Sequence, residues 1–211
     1  MVDKNRMART MGVRKTNYSE SLDFIPTPPW ATRAFLTVSG LGDEIKGKSV
    51  LEPCCGAGHI SEVLKEFGAV VTSSDLHDRG YPSTLEVDFL NNNFSDEQFD
   101  WAITNPPYAI SDQFLAEMWR VSKFGCVMHV RTGWMTGVKR HRDFLSKYPI
   151  SHLYIHAKNV SATQNKVIRR GSNNFNHSWI VWLKDWQGPK VFDFIPYDSQ
   201  QKFEKLEEYD D

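Results

Sequence analysis

The chain has only three cysteines in 211 residues, and two of them, Cys54 and Cys55, are adjacent, with Cys126 apart. An odd number without a CxxC spacing excludes a disulfide framework and a zinc knuckle, so a reducing cytoplasmic setting is expected. No apolar run is long enough to span a bilayer, and the N-terminus lacks the apolar stretch of a signal peptide. Nor does one sign of charge prevail, since 25 Lys and Arg face 26 Asp and Glu. That balance excludes a uniformly basic nucleic-acid coat but leaves room for a local basic face. Internal repeats and low-complexity tracts are missing too. His152 and His156 flank a strand-like Leu-Tyr-Ile, which sets them roughly 13 Å apart along a strand, and no metal is expected.

What is present suits one folded domain with a sizeable core: 40% hydrophobic residues, with 13 Phe and 7 Trp. The charges are unevenly spread. Lys4, Arg6, Arg9, Arg14 and Lys15 lie in an acid-free N-terminal stretch. Lys158, Lys166, Arg169, Arg170 and Lys184 lie in another acid-free stretch, and the chain beyond Gln200 is mostly acidic. The expected organisation is a basic arm over 1–22, a single domain over 23–198, and a solvated acidic tail over 199–211.

Within the domain, apolar strands alternate with amphipathic helices. Strands are expected at 49–53, 69–75, 84–90, 99–107, 125–132, 150–156 and 177–184. A helix starts at the Thr27-Pro28-Pro29 segment, with Thr27 as its cap, and stops near Gly40. Others cover about 60–67, the run from Ser111 that places Phe114, Leu115, Met118 and Val121 on one face, and 139–147. This pattern predicts an α/β domain with a mostly parallel seven-stranded sheet, flanked by helices, whose last strand pairs antiparallel with its neighbour. Residues 157–176 form a long polar loop of the kind that is usually functional or disordered.

Four motifs carry chemistry. In "VLEPCCGAGHIS", a strand ends in Glu52 and Pro53, and Gly56 and Gly58 then open a helix, so the backbone can approach a ligand closely. A dinucleotide fingerprint would need a third glycine where Ser61 stands, which disfavours a nicotinamide cofactor. Asp75, followed by Leu76, ends the next strand at the place where an acid takes both hydroxyls of a ribose. Asp88 follows, with Phe89 beside it to flank a flat ring. Acids at successive strand ends converge on one crevice and together favour a nucleoside-containing cofactor. Last comes Asn105-Pro106-Pro107-Tyr108. Its prolines withhold backbone donors and leave carbonyls free, Asn105 adds a side-chain acceptor, and Tyr108 offers a stacking face. Two acceptors beside a ring suit an exocyclic NH₂ group.

From "IPTPPWAT" to "HSWIVWLK" the chain resembles the class I S-adenosylmethionine-dependent methyltransferases of the group that carries [DNS]-P-P-[YFW], in particular the small phage-type N6-adenine DNA methyltransferases. The resemblance implies a Rossmann-like class I methyltransferase fold and S-adenosylmethionine as cofactor. By the same resemblance Thr27 and Pro28 close over the methionine part of the cofactor, with Glu52, Pro53, Cys54, Gly56 and Gly58 around it. Asp75 goes to the ribose, with Leu76 after it also on the cofactor, and Asp88 and Phe89 lie next to the adenine. Asn105, Pro106, Pro107 and Tyr108 are the catalytic tetrapeptide, and Asn105 also borders the cofactor. The segment with Arg131, Gly137 and Arg140 resembles one after the fifth strand that brings no established role.

The implied reaction is direct transfer of the sulfonium methyl to the N6 amino group of adenine in DNA, the base being flipped out of a duplex first. A target-recognition domain of the usual size has no place in this chain, so relaxed sequence preference is expected, with Lys158, Lys166, Arg169 and Arg170 on phosphates. RNA adenine-N6 or protein glutamine methylation are the alternative activities, and a non-catalytic cofactor- or DNA-binding subunit is the alternative class. The 48 residues before "SVLEP" leave little room for the helical domain that glutamine methyltransferases bring. The expected partner is DNA, with RNA second and no membrane, and the expected state a monomer or weak dimer.

Overall fold

The computed structural model describes residues 24–82, 84–161, 163–171 and 175–210. The expected basic arm, 1–22, lies outside the described residues. Pro29 opens α1 (Pro29–Ser39) at a position where a missing N–H costs nothing. The N-cap is Pro28, with no side-chain cap bond, and not Thr27 as the sequence suggested. A short turn, α2 (Leu41–Glu44), leads to β1 (Ser49–Glu52), α3 (His59–Glu66) and β2 (Val70–Asp75). Then come β3 (Leu85–Glu86), β4 (Phe99–Thr104), α4 (Ser111–Val121) and β5 (Ser122–Arg131). The chain ends with α5 (Val138–Arg140), β6 (His152–His156), β7 (His177–Leu183), β8 (Val191–Ile195) and α6 (Ser199–Phe203).

The strands form one sheet in the order β3-β2-β1-β4-β5-β7-β6-β8. It is mostly parallel, and β7 alone runs against its neighbours, between β5 and β6. The expected antiparallel strand is therefore present, but it lies inside the sheet. The eighth strand, β8, was not expected, and it pairs parallel with β6 at the edge. Phe192 and Phe194 on it are about half exposed, so its apolar signal does not mark burial. The expected third strand shrinks to Leu85–Glu86, because Asp88 accepts a hydrogen bond from the Leu90 N–H (3.1 Å) and turns the chain into a single 3₁₀ turn. The expected helix at 139–147 is α5 followed by a π-helical turn over His141–Leu145.

Period-two alternation sends successive side chains of the central strands to opposite faces. Val50, Trp101, Ile103, Val127, Trp179 and Val181 pack under α1 and α3 with Phe35 and Leu64. Leu51, Ala102, Cys126, Met128, Ile180 and Trp182 pack under α4 with Phe114, Leu115, Met118 and Val121, the face expected from the sequence. Phe35 stacks on Trp179 with centroids 4.6 Å apart. Truncating a fully buried side chain such as Leu115 would cost about 2–5 kcal/mol.

The acidic tail is not a loose solvated terminus. Arg33, buried on α1, holds Glu66 (2.7 Å) and Glu208 together, and Glu204 pairs with Arg169 (2.8 Å). Asp210 and Val167 exchange backbone and side-chain hydrogen bonds, the backbone one at 2.9 Å. Acids cluster there because basic residues from distant parts of the chain wait underneath, a pairing that local sequence cannot display.

Candidate active site

In the strand order 2-1-4 the connections run outward on both sides of the β1–β4 boundary, so a crevice opens at the carboxyl ends of these strands. A cavity of about 380 Å³ lies there. Its walls include Thr27, Glu52, Pro53, Cys54, Asp75, Leu76, Asp88, Phe89 and the whole stretch Asn105–Tyr108. Acids 52, 75 and 88, far apart in sequence, thus share one cavity. Pro28, Gly56 and Gly58 do not line it; they shape the elements that do.

The glycine turn is required by steric fit. Gly56 (φ 55°) and Gly58 (φ 82°) both take left-handed backbone. A Cβ on Gly56 would lie 2.1 Å from the Phe24 ring, and one on Gly58 would lie 2.2 Å from the Tyr81 ring. The Gly56 N–H donates to Asp75 Oδ2 (2.9 Å), and the His77 N–H to Oδ1 (3.0 Å). Each carboxylate oxygen keeps a lone pair for a further donor.

Glu52 is buried and meets no cation among the described residues. Ser61 donates to it, and Ser61 in turn lies 2.6 Å from Ser73 Oγ. Burial pushes the carboxyl up to about 8, against the lowering effect of the Ser61 hydrogen bond. Cys54, half-buried, is held protonated by desolvation, and its thiol donates to the Asn105 carbonyl (3.3 Å) while lying 2.8 Å from Thr104 Oγ1.

The tetrapeptide follows the last paired residue of β4, Thr104, which is opposite Met128. Of its backbone carbonyls, that of Asn105 takes the Cys54 thiol and that of Pro107 takes the Ile110 N–H (3.2 Å). The Pro106 carbonyl accepts from no group among the described residues, so one carbonyl is left open and not two. The Asn105 side chain is locked. Its Nδ2 donates to the Ile25 carbonyl and to Thr27 Oγ1, both at 3.1 Å. A carbonyl can only accept, so the amide nitrogen must face Ile25, and Oδ1 is the atom left for a ligand. Thr27 Oγ1 also lies 3.2 Å from Nδ1 of the buried His129. Burial keeps His129 neutral, its pKa held well below the ordinary value. The hydroxyl that was expected to cap a helix therefore links Asn105 to β5 instead.

Tyr108 lies 3.2 Å from His177 Nε2 through its hydroxyl, and burial raises the phenol's pKa, with the Arg131 charge opposing. His177 is itself lowered to about 4 by burial, then by Arg131. The Arg131 guanidinium lies 5.0 Å from the Tyr108 ring centroid and 3.9 Å from that of Phe175. The basic residues expected on phosphates are not equally free. Arg169 is paired with Glu204, Lys158 donates to Gln200 (3.0 Å), and Lys166 and Arg170 are exposed. Among the described residues no group of three His, Cys, Asp or Glu is arranged to hold a metal ion, the buried histidines included.

Phe24, His129, Arg131 and His177 border the site or touch its residues without having been marked by sequence as its members. His129 sits in the middle of the apolar run "GCVMHVRT", where a single polar residue on a buried strand was the available signal.

No family model matches the chain, and no curated protein matches it. Solved structures do. One is the methyltransferase subunit of a type I restriction-modification system from Streptococcus thermophilus, with TM-score 0.61 and 15% identity over 80% of this chain. That match takes in 47% of the subunit, so this chain spans about half its length. A Pyrococcus horikoshii protein provisionally described as an RNA methyltransferase matches at TM-score 0.56 and 19% identity, over 85% of this chain and 97% of that one. Magnesium protoporphyrin IX methyltransferase from Synechocystis PCC 6803, solved with bound S-adenosylmethionine, matches at TM-score 0.51 and 13% identity, over 86% of this chain and 90% of that one. At such identities the likeness establishes the fold: this is the α/β architecture of the methyltransferases, with one strand more than the sequence suggested. Among the described residues no helix is long and apolar enough to cross a membrane.

Proposed function

We propose that the chain is an S-adenosylmethionine-dependent methyltransferase that acts on the N6 amino group of adenine in DNA, with relaxed sequence preference. The observation that carries this reading is the locked Asn105 amide. Its nitrogen is spent on Ile25 and Thr27, which leaves Oδ1 beside the open Pro106 carbonyl as a pair of acceptors next to the Tyr108 ring.

The cavity fits the cofactor. Its volume of about 380 Å³ lies in the usual range for small-molecule sites. Glu52 lacks a cation and suits the cofactor's amino group, Asp75 keeps acceptor sites for ribose hydroxyls, and Asp88 with Phe89 borders the place for a ring. When bound, S-adenosylmethionine supplies an electrophilic methyl on a cationic sulfur. Asn105 Oδ1 and the Pro106 carbonyl take the two hydrogens of the target NH₂ and turn its lone pair away from them. Tyr108, kept a neutral phenol, holds the base by stacking. The nitrogen would gain the methyl as the methyl–sulfur bond breaks, its electron pair staying on sulfur in S-adenosylhomocysteine, and would release one proton to solvent. Positioning and fixed dipoles do the protein's share.

DNA is preferred over RNA because the tetrapeptide and its surroundings resemble the DNA enzymes, and the restriction-modification likeness agrees with this. Of the basic loop, Lys166 and Arg170 are the residues proposed to meet phosphates. A monomer or weak dimer in the cytoplasm is the proposed state. Nucleoside mass spectrometry tests the reading: DNA and RNA are incubated with the protein and S-adenosylmethionine, with Asn105→Ala as control. N6-methyladenine in DNA with the native chain and a drop of about 100-fold or more in the variant is expected, from the loss of a transition-state acceptor. N6-methyladenine in RNA alone moves the substrate to RNA. Its absence from both overturns the proposal.

A further inference from the structure

A second cavity, of about 570 Å³, shares Tyr108 and Arg131 with the first. Two cations line it, and they differ. Arg140 is already engaged: it pairs with Asp112 (2.7 Å), donates to the Trp134 carbonyl (2.6 Å) and lies over the Trp134 ring (4.5 Å). Arg131 has no carboxylate within ion-pair distance among the described residues, and its Nε is buried without a hydrogen-bond partner. The guanidinium lies over the rings of Phe175 (3.9 Å) and Tyr108 (5.0 Å), and among the described residues the Tyr108 hydroxyl is its one neutral acceptor nearby. Its other close neighbour, His177, is neutral.

A guanidinium that is sheltered, oriented and unneutralised is costly to maintain, because its N–H groups want charged acceptors. The rings compensate only in part. A fork of fixed donors is suited to two oxygens of one anionic group. Arg131 also stands where the two cavities meet, so whatever presents an amino group to Asn105 has its next unit at Arg131. In a nucleic acid that next unit carries a phosphodiester. In a protein bearing a glutamine it is a neutral backbone.

We propose that Arg131 is a phosphate-binding specificity residue: lying over the Tyr108 and Phe175 rings, it takes the phosphodiester adjoining the nucleotide whose amino group meets Asn105, and the second cavity receives the neighbouring nucleotide. The assignment rests on the nucleic-acid reading above and adds to it a named contact and a second binding place.

The test is fluorescence anisotropy with a labelled single-stranded oligothymidylate carrying one adenosine, and with two versions that replace the phosphate on one or the other side of that adenosine by a neutral methylphosphonate. For the native chain one replacement weakens binding about 10- to 100-fold, the range for a hydrogen bond to a charged group. Arg131→Met weakens binding of the unmodified probe by a similar factor and makes the chain indifferent to that replacement. Its log affinity against log salt is shallower by about 0.7, one phosphate's worth on a single strand. Phe175→Leu, at a half-exposed ring away from the strand core, shifts affinity in the same direction by several-fold and guards against a misfolded Arg131 variant. If Arg131→Met binds like the native chain, or still feels the methylphosphonate as the native chain does, the assignment is overturned while the nucleic-acid reading stands. If the native chain binds neither this probe nor its RNA counterpart, both are overturned.

Discussion

Glu52 gives the sharpest quantitative test of the site. Its carboxyl, raised by burial to about 8 from 4.5, is about 90% protonated at pH 7 in the free chain. Between these two values the folded chain holds a proton that the unfolded chain has released. Stability therefore falls with rising pH by about 1.4 kcal/mol per pH unit within that window and levels off above it. Glu52→Gln keeps the shape and the acceptor for Ser61 and removes the titration. Urea unfolding at several pH values between 5 and 9 should show the native chain losing stability relative to the variant as pH rises. Ligand binding reads the same group independently. An ammonium placed beside Glu52 favours the carboxylate, so binding the cofactor at pH 7 should release about 0.9 proton. Calorimetric titration with S-adenosylhomocysteine, which keeps the amino group but lacks the sulfonium charge, measures this in buffers of different ionisation enthalpy. The observed enthalpy should vary with buffer enthalpy with a slope of magnitude near 0.9 for the native chain and near zero for Glu52→Gln. Tight binding with no buffer dependence in the native chain would refute both the neutral carboxyl and its place beside the amine.

Further perturbations address the supports of the site. Thr27→Val removes the hydroxyl between Asn105 and His129, and should cost about 2 kcal/mol in urea unfolding and lower kcat more than it changes cofactor affinity, with Thr27→Ser restoring both. Gly58→Ala forces a Cβ into the Tyr81 ring at a left-handed position, and a loss of cofactor affinity measured by calorimetry should exceed its loss of thermal stability. Arg33→Met leaves the partly exposed Glu208 without its partner and Glu66 with Lys205 alone, so a loss of about 1–3 kcal/mol is expected in denaturant unfolding. The Arg33 hydrogen bond lowers Glu66 to about 2, and the Arg169 hydrogen bond does the same for Glu204. Both contribute stability that is full above pH 4.5 and lost as pH falls toward 2, so in acid titration by circular dichroism the native chain should lose its C-terminal packing in that window.

Much of the site could be read from the chain because its chemistry is concentrated in short runs. The glycine turn and the Asn105 tetrapeptide each occupy consecutive residues after a strand end, and Asp75 is itself the last residue of a strand, so local pattern and tertiary position coincide. The face of α4 was legible for the same reason. Long-range partners were not. Thr27 looked like a helix cap because Pro28 and Pro29 follow it, and only the fold brings His129 and Asn105 to its hydroxyl. The tail looked solvated because its acids face Arg33 and Arg169 across the fold. β8 was missed because a half-exposed edge strand with two outward phenylalanines differs little from a loop. Arg131 was noticed within its segment, but its isolation from carboxylates is a property of its surroundings.

The reversed direction of β7 has an architectural consequence. Since β6 and β5 end at the edge where β7 begins, the connection into β7 passes Arg131 through Phe175 and Asn176. Material inserted into that connection would accumulate over the cavity mouth without disturbing any ladder of the sheet. Doubling its length would cost only about 0.6 kcal/mol in closure entropy. The hairpin thus offers a grafting port, through which added chain could reach the cavity mouth while the ladders of the sheet stay intact.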